Sequence, residues 1–426
     1  MPTPTRPRSW FIRMPSMAAL SLLAGLLVSC PSFAGAQEWT RFRGPKGSGQ
    51  SDATTIPPRW TEDEVLWKVP LPGVGNASPV LWGDKIFLIS ADPKEGTRYV
   101  LCLAADDGKL LWKRDYPSET HHLHQQNTLA SSTPTVDAEH VYCAWSTPEE
   151  FTLLALKHDG SPSWQADLGP FVSQHGFGTS PILHEDLLII ANDQDADSFF
   201  IAVDKKEGTT RWKIPRERLA EQNTCYSTPC VYKPQGQPAE LITCSRAEGV
   251  VSLDPKSGAA NWKADVLTSR ACSSPVVIGD LVFATCGSGA GTNKCFALRP
   301  YGDGDDPELA YELDRSSAPY VPSPVAKGDL VFLWNDRGIV TCVDAPTGKI
   351  HWRNRVGGNY FGSPVRVGEY VYCIDVDGNV VSVAAKDTFE LGGRSPLGET
   401  SRSTPAVAGG RMYLRSESHL TAVGQK

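Results

Sequence analysis

The sequence predicts an all-β chain folded as an eight-bladed β-propeller of four-stranded antiparallel blades, and three observations predict it. First, a Ser-Pro or Thr-Pro pair followed by a β-rich run recurs at Ser78, Thr133, Ser180, Thr228, Ser274, Ser323, Ser363 and Thr404. The steps are 55, 47, 48, 46, 49, 40 and 41 residues, the size of one propeller blade. Second, each unit holds short runs of β-branched and aromatic residues separated by Gly, Asp and Asn, and no stretch keeps a helical period. Third, the last unit, Thr404 to Val423, has room for only three strands before the chain ends at Lys426. The missing fourth strand is present at the other end as Val65-Leu66-Trp67-Lys68-Val69, so the ring closes with strand 65–69 joining the C-terminal blade.

The unit Ser323 to Trp352 shows the order of elements most clearly. Ser-Pro-Val opens a strand, where a proline sacrifices no ladder hydrogen bond. Lys327-Gly328-Asp329 turns, Leu330 to Leu333 is a second strand, Asp336-Arg337-Gly338 turns again, and Ile339 to Val343 is a third. Asp344 to Gly348 then leads into a fourth strand carrying Trp352. The same closing element, Gly-x-x-x-Trp, recurs at Gly108/Trp112, Gly160/Trp164, Gly208/Trp212, Gly258/Trp262 and Gly348/Trp352. With Trp67 of the closing strand, these Trp residues are expected to be structural, each an apolar payload between neighbouring blades.

Ahead of the ring, residues 1–36 read as an export signal: Arg6, Arg8 and Arg13 precede an apolar run from Met17 to Val28. Two processing sites compete, Ala34-Gly35-Ala36 before Gln37 and a lipobox-like Leu27-Val28-Ser29-Cys30 at 27–30, the second of which would attach a lipid at Cys30. Residues 37–62 form an N-terminal extension, and 63–426 form a single propeller domain, expected as a monomeric ring. The formal charge is −7, and residues 1–36 hold three Arg and no acid, so a processed chain carries −10. That balance excludes nucleic acid and anionic lipid as main partners.

Ten cysteines follow Cys30, none in CxxC spacing, and most lie inside strand-like runs where Cys acts as a small buried hydrophobe. Cys286 and Cys295 flank a hairpin tip and are the first expected pair if a disulfide forms. Three other patterns read as turns. Asp375-Val-Asp377-Gly378-Asn379 sits between two strands where Asp-Gly makes a hairpin, and Gly287 to Lys294 lacks phosphate-loop spacing. Asp193, Asp195 and Asp197 alternate at another tip, read as solvated acids.

In a propeller the connections from each outer strand to the next inner strand meet at one channel mouth. Here they carry His121, His122, His124 and Asn127; His175; Asn223 and Tyr226; Arg270; Tyr320; Asn359 and Tyr360; and Arg402. These are the candidate ligand or partner face. The His121-His122-Leu-His124 cluster fits three readings: a metal site with His175, a polar binding mouth, or an exposed loop without a role.

Repeats such as AVDKKEGTTRW (Ala202 to Trp212), SLDPKSGAANW (Ser252 to Trp262) and CVDAPTGKIHW (Cys342 to Trp352) resemble the tryptophan-docking repeat of quinoprotein dehydrogenases and of the non-catalytic, BamB-like propellers of that superfamily. The segment Trp39 to Gly49 looks like the opening of exported PQQ-binding-like β-propeller repeat proteins. For the enzymes, the resemblance implies pyrroloquinoline quinone with Ca²⁺, a catalytic Asp, carboxylate and amide ligands, a Trp under the quinone and often an adjacent Cys-Cys disulfide. This sequence has no Cys-Cys pair, and its Trp residues lie mostly on outer strands. The expectation is therefore an exported, non-catalytic scaffold that binds a protein or an envelope polymer, with no catalytic, cofactor or metal residues. The alternative is a quinone-dependent dehydrogenase of alcohols or sugars with Ca²⁺.

Overall fold

A computed structural model describes residues 39–219, 223–289, 291–301 and 306–425. The export signal and the Cys30 lipidation site lie outside the described residues. The regular secondary structure of the described residues is almost wholly strand, with two three-residue 3-10 turns at Pro45–Gly47 and Glu62–Glu64. Alternating apolar runs and Gly- or Asp-bearing turns leave no segment long enough for anything else.

The strands form eight sheets in meander order. The inner strands of blades 1 to 7 are Val80–Trp82, Thr135–Val136, Ile182–His184, Cys230–Tyr232, Val276–Ile278, Val325–Lys327 and Val365–Val367. Blade 8 is built from both ends of the chain, as expected: Ala406–Ala408, Arg411–Arg415 and His419–Gly424 are joined by Val65–Pro70, which pairs antiparallel with His419–Gly424. Blade 7 gains a fifth strand, Gln50–Ser51, running parallel to Val365–Val367.

Apolar packing lies between blades rather than in one central core. Seven buried clusters follow the ring, the largest joining blades 7, 8 and 1. The outer-strand Trp residues tie these layers together. The indole N–H groups of Trp67, Trp112, Trp164, Trp212 and Trp352 donate at 2.9–3.2 Å to Ala105, His158, Lys205, Pro255 and Lys386 carbonyls of the following blade. On four of these indoles, those of Trp67, Trp112, Trp164 and Trp212, lies the glycine of the next blade's turn, whereas Phe389 packs on Trp352. At Gly208 φ is 72°, and a Cβ would meet the Trp164 ring at 2.6 Å, so this turn admits no side chain.

Three units depart from this rule. Trp262 is buried between blades 4 and 5 but donates to Glu240 of its own blade, 3.0 Å away. In blade 5 the docking residue is Tyr311, whose hydroxyl reaches the Ala345 carbonyl. In blade 7 the pairing Ser382↔Gly393 places Gly393 where Cys342↔Trp352 places the Trp. The vacated space is filled by the N-terminal extension: a Cβ on Gly393 would strike Arg59, and Trp60 exchanges hydrogen bonds with Ser395.

The recurring Ser/Thr has a role beyond starting a strand. The backbone N–H of each donates to the hydroxyl of the next: Ser78 to Thr133, Thr133 to Ser180, Ser180 to Thr228, Thr228 to Ser274, Ser274 to Ser323, Ser323 to Ser363, Ser363 to Thr404, and Thr404 back to Ser78. The bonds are 2.9–3.2 Å long and close a circle around the channel. Thr404→Val keeps the shape but leaves the Ser363 N–H unpaired, and is expected to cost about 1–3 kcal/mol in urea denaturation. A loss within experimental error would mean that water replaces the hydroxyl.

The expected disulfide is not present. Cys286 and Cys295 are both free, and the register pairs Thr285 with Cys295 and Cys286 with Lys294. One residue of offset puts the two thiols on opposite faces of the sheet, so that Cys286 packs toward blade 4 and Cys295 toward blade 6.

Candidate functional site

The residues Trp39 to Ser51 cross the channel. Backbone carbonyls of Trp39 and Thr40 accept from Leu81 of blade 1 and Val136 of blade 2, and Gly49 accepts from Arg366 of blade 7. Arg41 donates to the Pro229 carbonyl at 2.8 Å, and Arg43 to that of Pro324. These partners lie on opposite sides of the ring, so the segment is a plug across its centre. Trp39 is 1 % exposed and Arg43 0 %. Burial lowers the Arg41 guanidinium to about 10 and, with repulsion from Arg41, that of Arg43 to about 9, so both stay cationic at neutral pH.

Above the plug is a cavity of about 800 Å³. Phe42 lies at its plugged end, seven of the eight ring hydroxyls form its wall, and the connections between blades form its mouth. Of the candidate face residues, His124, Asn127, His175, Tyr226, Arg270, Tyr320, Asn359 and Arg402 line it. The other four do not. Tyr360 is wholly buried against Trp334 between blades 6 and 7, because the connection turns its side chain inward. Asn223 folds back to bond both backbone groups of Leu219. His121 and exposed His122 lie outside the cavity.

The cavity also holds residues that the connections alone do not reveal. Hairpin tips between second and third strands open on the same face and contribute Ser288, Gly289, Gly291, Asn293, Asn335, Asp336 and Arg337; Arg315 comes from a connection. The turn reading of Gly287 to Lys294 is thus right, and the turn is part of the site. Asp375 is likewise a turn residue, bonding the Asn379 backbone and amide. Asp193 differs from expectation: it is buried against Arg216 at 2.9 Å, while Asp195 accepts from Thr224 N–H and Asp197 is exposed.

Chemically the cavity is cationic and amide-rich. Arg270 donates to the Thr224 carbonyl at 3.0 Å and to the Tyr320 hydroxyl, and Arg402 to Gln126 at 2.7 Å. Among the described residues Asp336 is the single carboxylate of the lining; it accepts the backbone N–H groups of Tyr320 at 2.7 Å and Val321 at 3.0 Å. Burial nonetheless holds its carboxyl above the usual range. The His124 and His175 rings approach to 4.7 Å between centroids. Burial, then the charge of Arg270, lowers the His175 pKa, so the arginines supply the positive charge at neutral pH. Among the described residues no group of three His, Cys, Asp or Glu could hold a metal ion.

This is the architecture of a tryptophan-docked, eight-bladed propeller with a plugged channel and one open, polar mouth. The family model described as outer membrane protein assembly factor BamB matches residues 59–284 and 308–426, and the chain belongs to that family. No curated protein sequence matches. Among solved structures, BamB from Moraxella catarrhalis is similar with a TM-score of 0.61 and 16 % identity, over 84 % of this chain and 98 % of that one. A europium-containing methanol dehydrogenase is similar at 0.69 and 10 %, over 92 % and 98 %. Quinohemoprotein alcohol dehydrogenase from Comamonas testosteroni follows at 0.65 and 13 %, over 92 % and 81 %. At these identities the likeness is one of fold.

The dehydrogenases raise the question of whether a quinone and Ca²⁺ fit here. Ca²⁺ takes six to eight oxygen ligands, commonly with more than one carboxylate. Among the described residues the only lining carboxylate has both oxygens engaged by backbone, and no Trp lines the cavity to lie under a quinone. The residues present do not fit that pair.

Proposed function

We propose that the protein is an exported, non-catalytic binding propeller of the cell envelope, which receives a partner protein at the face where its inter-blade connections open. The observation that carries this reading is the cavity: a built, polar mouth with exposed hydrogen-bonding side chains and a donor set unsuited to metal-assisted chemistry. The plug supports it, because a channel closed beneath the mouth favours a surface that receives a partner over one that passes a substrate. Membership of the BamB family agrees with a role in assembly at the envelope.

A photo-crosslinking residue placed at Asn359, exposed on the mouth, is compared with one at Asp329, exposed on the turn at the opposite end of an inner strand. Partner adducts are expected from position 359 and not from 329. Equal labelling from both positions, or none from either, would sink the reading.

A further inference from the structure

The cavity combines a strong local charge with an unusual lack of compensation. Among the described residues Arg270, Arg315, Arg337 and Arg402 line it, against the single carboxylate of Asp336. None of the four forms an ion pair among the described residues, and Arg315 and Arg337 are exposed. Beneath the cavity, flanking Phe42 in sequence, Arg41 and Arg43 are buried with carbonyl partners, and among the described residues they meet no carboxylate and the Nε of each has no hydrogen-bond partner. Buried charge is costly unless it is paired, and two cations left in this state at the plugged end of an already cationic cavity make a site that an anion stabilises.

Two further observations define the anion. The arginines are spread over the mouth: Arg270 lies between blades 4 and 5, Arg315 between 5 and 6, Arg337 on a hairpin of blade 6, and Arg402 between 7 and 8. They suit several separate negative groups better than one compact ion. Between them stand Asn76, Gln126, Asn127, Asn293 and Asn359, whose amides both donate and accept, as a peptide backbone requires. The chain as a whole is acidic, with a formal charge of −7 that already includes the cavity's arginines, so a long polyanion is repelled from the surface while a short segment is focused into the mouth.

From this we infer that the cavity binds an acidic, carboxylate-bearing peptide segment of the partner protein. This rests on the reading of the connection face as the docking face, and adds to it the chemistry of the bound segment.

The test titrates the exported protein with fluorescent hexaglutamate, with hexaglutamine and hexalysine as controls, and with citrate and polygalacturonate as competing carboxylate sources. Hexaglutamate is expected to bind, to weaken on raising salt, and to bind about tenfold less tightly to the Arg315→Gln plus Arg337→Gln protein, whose exposed side chains leave the fold intact. Displacement of the peptide by excess hexaglutamate but only weakly by citrate completes the expected result. Equal binding of hexaglutamine, an unchanged affinity in the double variant, or binding of citrate or polygalacturonate alone would overturn the inference. If hexaglutamate fails while the crosslinker at Asn359 still labels a partner, the docking face stands and the acidic segment is wrong.

Discussion

Trp39→Ala is expected to lower the unfolding free energy by about 3–5 kcal/mol, the range for removing a fully buried indole from a packed site. Trp39 is 1 % exposed and packs in the apolar cluster that joins blades 7, 8 and 1, and its carbonyl accepts from Leu81 of blade 1. The cavity left behind lies where the blade assembled from both termini meets its neighbour, so little backbone is free to collapse into it. Gly44→Ala should act in the same direction for a different reason: φ is 65°, and the new Cβ would sit 2.5 Å from the Trp39 ring. Urea denaturation of both variants measures the effect. A loss below about 1 kcal/mol for Trp39→Ala would show that the plug is an accessory laid on a ring already stable without it.

A second large effect is expected at Arg216. Its Nε lies 2.9 Å from Asp193 and 3.2 Å from Glu248, all three side chains being largely or fully shielded from solvent. Arg216→Met leaves two buried carboxylates facing each other and should cost about 3–5 kcal/mol at neutral pH. The deficit should shrink on acidification, as the carboxylates take up protons. The wild type has a related pH dependence. Burial, reinforced by Glu248 and opposed by Arg216, pushes the Asp193 carboxyl up to about 6 from an ordinary 3.8. A raised carboxyl means that the folded chain holds this proton more tightly than the unfolded chain. Stability from this group is therefore full below about pH 4 and falls as pH rises through about 6. Asp193→Asn should remove that part of the slope between urea midpoints measured at acidic and neutral pH, and an unchanged slope would assign it to other groups.

The ring was legible in the sequence because it repeats. Ser323 to Trp352 displays every strand and turn of its blade, and the fourth strand missing from the last unit pointed to the Trp67 segment as the one that closes the ring. What escaped reading were positions where a neighbour replaces the repeat's own residue. Tyr311 docks blade 5 without an indole, and Gly393 stands in a Trp position because Arg59 and Trp60 cover it from outside the repeat. The plug has no period, so Trp39 to Ser51 carried no signal of crossing the channel. Of the site, the residues on connections were found where a polar side chain is held outward, as at Arg270 and Arg402. Tyr360 shows the limit: on an irregular segment, no alternation tells which side chain turns into the core. Arg337 and Asn293 were missed as hairpin residues, although the face on which such hairpins open follows from the order of strands.

The blade shared by both termini also has a consequence in time. Val65 pairs with Val423, and at roughly 5–20 residues per second the ribosome needs on the order of 20–70 s to make what lies between them. Throughout that interval the strand Val65–Pro70 presents an unpaired edge, and for most of it the plug lacks its anchors at Pro324 and Arg366. Local hairpins can form blade by blade as they emerge, but the circle of hydroxyls cannot close until Thr404 finds Ser78. The last strands synthesised are thus the ones that lock the first, and a nascent chain cut short before residue 419 would retain most of its blades and still lack a closed ring.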